Sequence, residues 1–394
     1  MHALISRLSQ TVLFLAAALL AGCGGGGDGG VGTGGTGTYA AGTITGFGSV
    51  IVNGIRFDDS SASVVDDDDA TRGRDALKLG MTVAIDSDAI RSDATGRSAT
   101  ARRIRLGSEL LGPVSAVDTG AGTLTLLGQT VRIGASTVFD AGITGGLSGV
   151  RAGQTLEVFA LYDAVTGRYD ATRVQPGEAS APWHLRGPAA AVDSSARQLR
   201  IGALTLGYAA ASNVPPRLAV GDIVRVRVRL VTGPFGGWVI DAFGTAARTP
   251  DDRDEAELEG RITSFTSTAQ FSVNGVPVDA SAARFPDGSA GVRAGALVEV
   301  SGRLSGGVLF ASEVQLEDDE EDSERGFELH GRIEAVDSTA RTFRLRGNTV
   351  SWARSDLRLE DGTLADIQVG REVEVRAVLA GDRVSLEATR IEFD

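Results

Sequence analysis

Few side chains in this chain could carry out chemistry. The 394 residues include three histidines and one cysteine, Cys23. Disulfides, cysteine-based zinc sites and iron–sulfur clusters all need more cysteines than this. A Ser-His-Asp triad would have to use His184 or His330, and each of these is expected to be half-exposed on a strand. The sequence contains no GxSxG, HExxH or P-loop motif. We therefore expect no enzyme activity and no cofactor.

Three arginines form the main candidate binding motif. Arg225, Arg227 and Arg229 alternate with valines in VRVRVRL (224–230). Because successive side chains of a strand point to opposite faces, the guanidinium groups should share the outer face while the valines point inward. Guanidinium groups bind phosphates and carboxylates through two parallel hydrogen bonds. Two interpretations are open: a stripe that binds an anion or a polysaccharide, and an ordinary solvated strand face.

The acidic residues are clustered along the chain. The net charge is −13, and two acidic runs, PDDRDEAE (250–257) and EDDEEDSE (317–324), lie between repeated units. Such runs are typical of solvated, self-repelling spacers, and neither has the spacing of a calcium-binding loop. A third cluster, DDDDA (66–70), is interpreted as a polar turn, with a calcium site as the alternative. An acidic chain also disfavours nucleic acid as a partner.

The amino terminus has the features of an export signal. A short apolar run precedes Cys23 and is too short to cross a bilayer as a helix. The residues LAGC (20–23) resemble the lipobox of bacterial lipoproteins, in which the chain is cut before the cysteine and the sulfur receives a diacylglycerol. This resemblance implies a signal peptide over 1–22, lipidation of Cys23 and a Gly-rich linker over 23–40. An aspartate after the cysteine would resemble an inner-membrane retention signal, so Gly24 at this position implies the outer membrane.

The rest of the chain consists of five similar units of about 70 residues each. Every unit starts with a glycine, one further residue and an apolar residue. These starts are Gly42-Thr43-Ile44, Gly112-Pro113-Val114, Gly187-Pro188-Ala189, Gly260-Arg261-Ile262 and Gly331-Arg332-Ile333. A second anchor with a central glycine follows in each unit. Its segments are LKLGMTVAI (77–85), VRAGQTLEV (150–158), LAVGDIVRV (218–226), VRAGALVEV (292–300) and IQVGREVEV (367–375). The constant order of the anchors indicates tandem copies of one domain.

Each unit has the pattern of a small β-barrel. Alternating apolar residues and the hairpin signals Asn53-Gly54 and Asn274-Gly275 predict about five strands per unit. About 70 residues bury too little surface to stabilise an open sheet, and closure removes the edge strands. We predict an all-β tandem array of five five-stranded barrels like the oligonucleotide/oligosaccharide-binding (OB) fold. An SH3-like barrel is the alternative.

One segment also resembles a known family. GFGSVIVNGIRF (46–57), followed twenty residues later by LKLGMTVAI, is similar to the repeated module of domain-of-unknown-function family 5666, found in secreted and lipid-anchored bacterial proteins. The resemblance extends over residues 41–394 and is looser after the first unit. It implies an OB-like architecture and an exported location, and it assigns no activity and no functional residue.

These observations define the expected domains and role. The five barrels are expected over 41–107, 108–177, 183–246, 258–316 and 325–394. The expected function is that of a non-catalytic cell-envelope lipoprotein whose barrels form an extended interaction or spacer rod. The alternative is a polysaccharide- or anion-binding protein that uses the arginine stripe. The expected partners are the membrane, through the lipid anchor, and a glycan or an envelope protein.

Overall fold

The described residues form one all-β body. The computed structural model describes residues 35–94, 96–178, 182–232, 236–244, 251–317 and 326–394. The chain divides into Met1–Thr33 and Gly34–Asp394, and every described residue belongs to the second part. The predicted signal peptide and Cys23 lie outside the described residues. The second part contains strands and three short 3₁₀ turns, which confirms the predicted all-β fold class.

The first two units, numbered in chain order, occupy residues 35–176. The strands of unit 1 are β1 (Gly35–Thr43), β2 (Gly46–Phe47), β3 (Val50–Val52), β4 (Ile55–Asp58), β5 (Ser63–Asp66), β6 (Thr71–Arg72), β7 (Thr82–Ser87), β8 (Arg91–Asp93) and β9 (Gly96–Leu106). Those of unit 2 are β10 (Leu110–Asp118), β11 (Thr123–Leu126), β12 (Gln129–Phe139), β13 (Thr155–Asp163) and β14 (Arg168–Pro176). A 3₁₀ turn precedes the fourth barrel strand in each unit, over Arg74–Ala76 and Gly146–Gly149.

The other three units follow in the same way. The strands of unit 3 are β15 (His184–Asp193), β16 (Gln198–Ile201), β17 (Leu204–Gly207), β18 (Ile223–Val231) and β19 (Gly237–Gly244). Those of unit 4 are β20 (Arg253–Ser267), β21 (Gln270–Val273), β22 (Val276–Asp279), β23 (Leu297–Ser305) and β24 (Val308–Glu317). Those of unit 5 are β25 (Phe327–Arg332), β26 (Ala335–Asp337), β27 (Thr342–Leu345), β28 (Asn348–Ser351), β29 (Arg358–Glu360), β30 (Glu372–Leu379) and β31 (Leu386–Phe393), with a 3₁₀ turn over Leu364–Asp366. No helix among the described residues has the length and apolar character needed to span a membrane.

All five units close in the same strand order. In unit 2 the first strand pairs with the second and the fourth, the second pairs with the third, and the fourth pairs with the fifth. The third and fifth strands, β12 and β14, pair in parallel and complete the circle. Units 3 and 4 repeat this order. Units 1 and 5 follow it with the first strand broken in two, as β1–β2 and β25–β26. This closed order is that of an OB fold, and it decides against the SH3-like alternative.

The two sequence anchors are hydrogen-bonded to each other in every unit. In unit 1, the N–H of Gly80 donates to the carbonyl of Ile44, and the N–H of Ile44 donates to the carbonyl of Met81. The equivalent pairs in the other four units have N···O distances of 2.8–2.9 Å. The second-anchor glycines all have φ between +80° and +95°, where a Cβ is strained; they are Gly80, Gly153, Gly221, Gly295 and Gly370. The repeated glycine is therefore required by the backbone of the turn into the fourth barrel strand.

The first-anchor glycine is required for a different reason, which is space. At the hairpin of unit 1, Asn53 Nδ2 donates to the carbonyl of Ala41 at 3.1 Å. A Cβ on the next residue, Gly42, would lie 2.1 Å from Asn53 Oδ1. The bond recurs in unit 4, where Asn274 donates to the carbonyl of Glu259 at 3.0 Å. It also recurs in unit 5, where Arg346 donates to the carbonyl of His330 at 2.9 Å. The glycine thus leaves room for a turn side chain that crosses the start of the barrel.

Unit 3 lacks the Asn-Gly turn and receives this hydrogen bond from its neighbour. Tyr169 of unit 2 donates its hydroxyl to the carbonyl of Arg186 at 2.7 Å. Arg186 precedes the first-anchor glycine, Gly187, whose added Cβ would lie 2.2 Å from the Tyr169 hydroxyl. Tyr169 is fully buried. The bond that is internal in units 1, 4 and 5 therefore joins two barrels here.

The first strands also connect the barrels into larger sheets. β1 pairs in parallel with β20, β2 pairs in parallel with β25, and β10 pairs with β15 in the antiparallel sense. Two hydrophobic cores are likewise shared, one by units 1 and 5 and the other by units 2 and 3. The extended rod expected from the sequence is therefore wrong, because the edges of the first strands pair between units instead of remaining in solvent.

Strand β1 begins inside the linker predicted over 23–40. Its residues pair on one side with β7 and on the other with β20. Thr38 and Ala40 are fully buried. A Cβ on Gly37 would lie 2.1 Å from the Arg102 guanidinium. A Gly-rich segment can thus be an ordered strand when both of its edges are hydrogen-bonded.

The predicted acidic spacer over 250–257 is also partly a strand. β20 starts at Arg253, whose Nη2 lies 3.0 Å from Asp86 Oδ1 of unit 1. Glu257 is 2% exposed and forms an ion pair with Arg97 of unit 1. The run therefore packs against unit 1 through ion pairs in both directions, Arg253 with Asp86 and Glu257 with Arg97, and is not a self-repelling spacer. In the second predicted spacer, Glu317 ends β24 and is buried, and the rest of that run lies outside the described residues.

Candidate binding crevice

The arginine stripe lies on β18, with its three side chains in different surroundings. Val224, Val226 and Val228 are buried on the inner face. Arg225 is only 3% exposed, whereas the side chains of Arg227 and Arg229 are 41% and 57% exposed. The exposure of the predicted outer face therefore rises along the strand, from the buried Arg225 to Arg229.

The anions bound by the stripe belong to the same chain. Asp68 of unit 1 receives hydrogen bonds from Arg225, with Nη1–Oδ1 at 2.6 Å and Nη2–Oδ2 at 3.0 Å. Arg227 Nη2 lies 3.0 Å from the same carboxylate. Arg229 pairs with Asp241 of its own barrel at 2.6 Å. These hydrogen bonds hold the pKa of Asp68 well below its usual range. The interpretation as an open anion-binding stripe therefore fails for Arg225 and Arg227.

The DDDDA cluster is a turn whose acids are paired with arginines. Asp66 accepts two hydrogen bonds from Arg72, and Asp69 accepts one from Arg105 at 2.6 Å. The backbone turns between Asp66 and Ala70. Among the described residues, no group of three or more His, Cys, Asp or Glu side chains is placed to hold a metal ion. The calcium alternative therefore has no support in the geometry.

His184 lies beside the buried arginine and is itself buried, so the predicted half-exposed position is wrong. Its Nε2 lies 2.9 Å from Ser108 Oγ, next to a cavity of about 150 Å³ that the acidic turn also lines. Burial, followed by the positive charge of Arg225, lowers the pKa of His184 to about 4. The imidazole is therefore neutral at pH 7. His330 differs, because its side chain is 40% exposed and lies 3.0 Å from Asp394.

Arg225 also lines a much larger crevice. It has a volume of about 960 Å³ and is lined by residues of units 1, 2, 3 and 4. Small-molecule sites span about 300–1,000 Å³ and combine apolar walls with a few convergent polar groups. This crevice has both features, since its walls combine proline and aliphatic side chains with charged and hydroxyl groups. It is our candidate binding site.

A buried ion pair lies at the crevice where units 2, 3 and 4 meet. Arg186 on β15 places Nη1 3.1 and 3.2 Å from the two carboxylate oxygens of Glu109, which precedes β10. The backbone N–H of Arg186 also donates to the carbonyl of Glu109 at 2.8 Å. Arg186 Nη2 reaches the carbonyl of Asn274 in unit 4 at 3.4 Å. The pair therefore holds this part of the crevice in a fixed geometry.

Two other lining residues have polar groups without a hydrogen-bond partner in the described part of the chain. Tyr162 on β13 is half-buried, and its hydroxyl has no hydrogen-bond partner among the described residues. Burial, and then the nearby charge of Asp163, raises the pKa of Tyr162. The exposed Arg217 has neither an ion pair nor a hydrogen bond within the described part of the chain. Both groups are available to a ligand.

Sequence reasoning did not identify this crevice. Arg186 and Glu109 sit next to strand starts, a position that indicates nothing about their partner 77 residues away. Tyr162 occupies an ordinary strand position. The missing Asn-Gly turn of unit 3 was a signal that unit 3 contacts another barrel. A turn side chain satisfies the equivalent carbonyl in units 1, 4 and 5, whereas in unit 3 the donor is Tyr169 of unit 2.

Comparison with known proteins matches three of the five barrels to a family model. The family described as Domain of unknown function (DUF5666) matches residues 112–175, 259–315 and 330–392, which lie in units 2, 4 and 5. No curated protein matches the chain. Two solved structures are similar to it at low TM-score. One is a multidomain protein with nucleic acid binding domains from Streptococcus pneumoniae TIGR4, with 12% identity over 52% of this chain and 72% of that chain and a TM-score of 0.13. The other is Drosophila Unr CSD456, with 11% identity over 78% of this chain and 99% of that chain and a TM-score of 0.14. Units 2, 4 and 5, each of which forms an OB-like barrel, therefore match the DUF5666 family model, which is consistent with a repeated DUF5666 architecture.

Proposed function

We propose that this protein is a non-catalytic, lipid-anchored protein of the bacterial cell envelope that binds a ligand in the crevice between its barrels. The observation that carries the binding role is the crevice of about 960 Å³, with its fixed Arg186–Glu109 pair. The lipobox at Cys23 supports the anchor. The paired state of Arg225 and Arg227 argues against the arginine stripe as the site of binding.

The anchor is tested with a Cys23→Ser variant of the full chain. Wild-type protein, expressed in bacteria fed with a labelled fatty acid, should carry the label and sediment with membranes. The variant should lose the label and leave the membrane fraction. Equal labelling of both proteins would overturn lipidation at Cys23.

The crevice is tested with a blocking substitution and a matched control on the same strand. Ser264→Trp places an indole among the lining residues of β20, and Ser267→Trp places one at an exposed position of β20 outside the crevice. Immobilised full-length protein is exposed separately to the polysaccharide, lipid and protein fractions of a bacterial envelope. Ser264→Trp should lose retention of one fraction that the wild type and Ser267→Trp both retain. Equal retention by all three proteins would overturn the crevice as the binding site.

A further inference from the structure

The proposed crevice has walls that are apolar and rigid. Its proline residues, Pro188, Pro215 and Pro277, come from units 3 and 4 and present ring surfaces without an N–H donor. Leu161 and Ile223 extend this surface. Such walls favour a ligand that has flat faces of C–H groups.

The lining of the crevice contains equal numbers of positive and negative side chains. Its charged lining residues are three arginines and three acids: Arg186, Arg217, Arg225, Glu109, Asp222 and Glu259. An anionic or cationic ligand would lose its hydration on entry without a net opposite charge to replace it. The lining therefore favours a neutral ligand, in contrast to the anion suggested by the arginine stripe.

The polar groups offer donors and acceptors side by side. Arg186 and Arg217 donate only, Glu109 accepts only, and the Tyr162 hydroxyl does both. The Arg186–Glu109 pair is already oriented, so a ligand that binds beside it orders few side chains. A group that matches such a set must donate and accept at neighbouring positions, and vicinal hydroxyls do this.

We infer that the crevice binds a neutral saccharide chain, with sugar C–H faces on the proline and aliphatic walls and hydroxyls on Tyr162, Arg217 and the Arg186–Glu109 pair. This inference rests on the proposed binding function and names its ligand class. The crevice volume accommodates more than one sugar ring.

The test measures binding of defined oligosaccharides to the full chain by isothermal titration calorimetry. The neutral probes are maltohexaose, cellohexaose, laminarihexaose, mannohexaose and xylohexaose. The charged probes are hexagalacturonate and chitosan hexaose. At least one neutral probe should bind, and its Kd should change less than twofold between 0.05 and 0.5 M NaCl. Tyr162→Phe should weaken that binding about 5- to 10-fold, because it removes one hydrogen bond and keeps the ring.

Arg217→Met should also weaken binding of the neutral probe, whereas Arg200→Met should leave it unchanged. Arg200 is an exposed arginine of unit 3 outside the crevice, and its side chain bonds to the carbonyl of Gly202. Salt-sensitive binding of hexagalacturonate alone, or the absence of binding by every neutral probe, would overturn the inference. Crevice-dependent retention of only the lipid or protein fraction would overturn the saccharide while leaving the proposed function intact.

Discussion

Arg225 of unit 3 binds Asp68 of unit 1 through two hydrogen bonds, although the two residues are 157 positions apart. The arginine is 3% exposed, and a second acid, Asp67, lies 3.8 Å from its Nε. A guanidinium group with this fork geometry holds a carboxylate in one orientation. The contact therefore positions the acidic turn of one barrel on the strand face of another, between the crevice and the small cavity at His184.

Arg225→Met should destabilise the protein by roughly 3 kcal/mol. The substitution keeps much of the side-chain volume but removes the buried guanidinium that makes two hydrogen bonds to Asp68, which is left with the more exposed Arg227. Urea-induced unfolding, followed by circular dichroism, measures the change. Adding Asp68→Asn to this variant should recover part of the loss, because less uncompensated charge remains.

The matched control for this prediction is Arg229→Met on the same strand. Arg229 pairs with Asp241, and both side chains are about half exposed. Exposed pairs contribute about 0–1 kcal/mol, so the urea midpoint should move little. If Arg225→Met and Arg229→Met shifted the midpoint equally, the Arg225–Asp68 contact would not hold the barrels together.

Acidification should destabilise the protein through His184. Its pKa is about 4 in the folded protein and about 6.5 in an unfolded chain. The unfolded state therefore binds the proton first, so the stability from neutral His184 is complete above pH 6.5 and is lost as the pH falls toward 4. The loss should approach roughly 3 kcal/mol, and unfolding experiments at pH 7, 5.5 and 4.5 would measure it.

His184→Gln separates this effect from the other titrations. Gln cannot be protonated in this range, so the difference in unfolding free energy between the variant and the wild type should change with pH. The lowered pKa of Asp68 keeps its carboxylate ionised in the folded protein, and its contribution to stability begins to fall only as the pH approaches about 3.9, where the unfolded carboxyl takes up a proton. A pH-independent difference would show that His184 does not titrate as its burial requires.

Gly80→Ala should be more destabilising than Gly370→Ala. The two glycines occupy the same position of the second anchor, with φ of +80° and +88°, so a Cβ costs each about 1–2 kcal/mol in backbone strain. At Gly80 the Cβ would also lie 2.6 Å from the carbonyl oxygen of Thr172 in unit 2, whereas at Gly370 it meets no atom within 4 Å. The collision should add about 1–3 kcal/mol, measured by urea unfolding. Equal losses of stability would mean that the backbone where units 1 and 2 meet shifts to accommodate the Cβ without a loss of free energy.

Tyr169→Phe should cost about 1–3 kcal/mol. The change removes only the hydroxyl, which leaves the carbonyl of Arg186 without the donor that crosses from unit 2. Tyr208→Phe is the control, because its hydroxyl lies 3.5 Å from the carbonyl of Asp193 and should contribute little. Thermal unfolding of the two variants makes the comparison. A Tm for Tyr169→Phe as high as that of the control would show that the hydroxyl contributes no stability.

Much of each barrel was predictable because its signals are local. Asn53-Gly54 marks a hairpin through the positive φ that both residues adopt. Alternation in β18 predicted that Val224, Val226 and Val228 point inward. The same alternation assigned Arg225 to the outer face of its barrel but carried no information on what covers that face. His184 was assigned a half-exposed position for the same reason.

The sequence by itself determined five copies of one closed β-unit, because turn glycines, hairpin residues and apolar alternation act over a few residues along the chain. Only the tertiary structure decided that these barrels pack together, that Asp68 covers Arg225, and that Tyr162 and Arg186 meet at one crevice. Those contacts join residues of different units, and their partners depend on which barrel surfaces are complementary. The sequence pattern within a single unit therefore does not predict which surfaces of the other units it will contact.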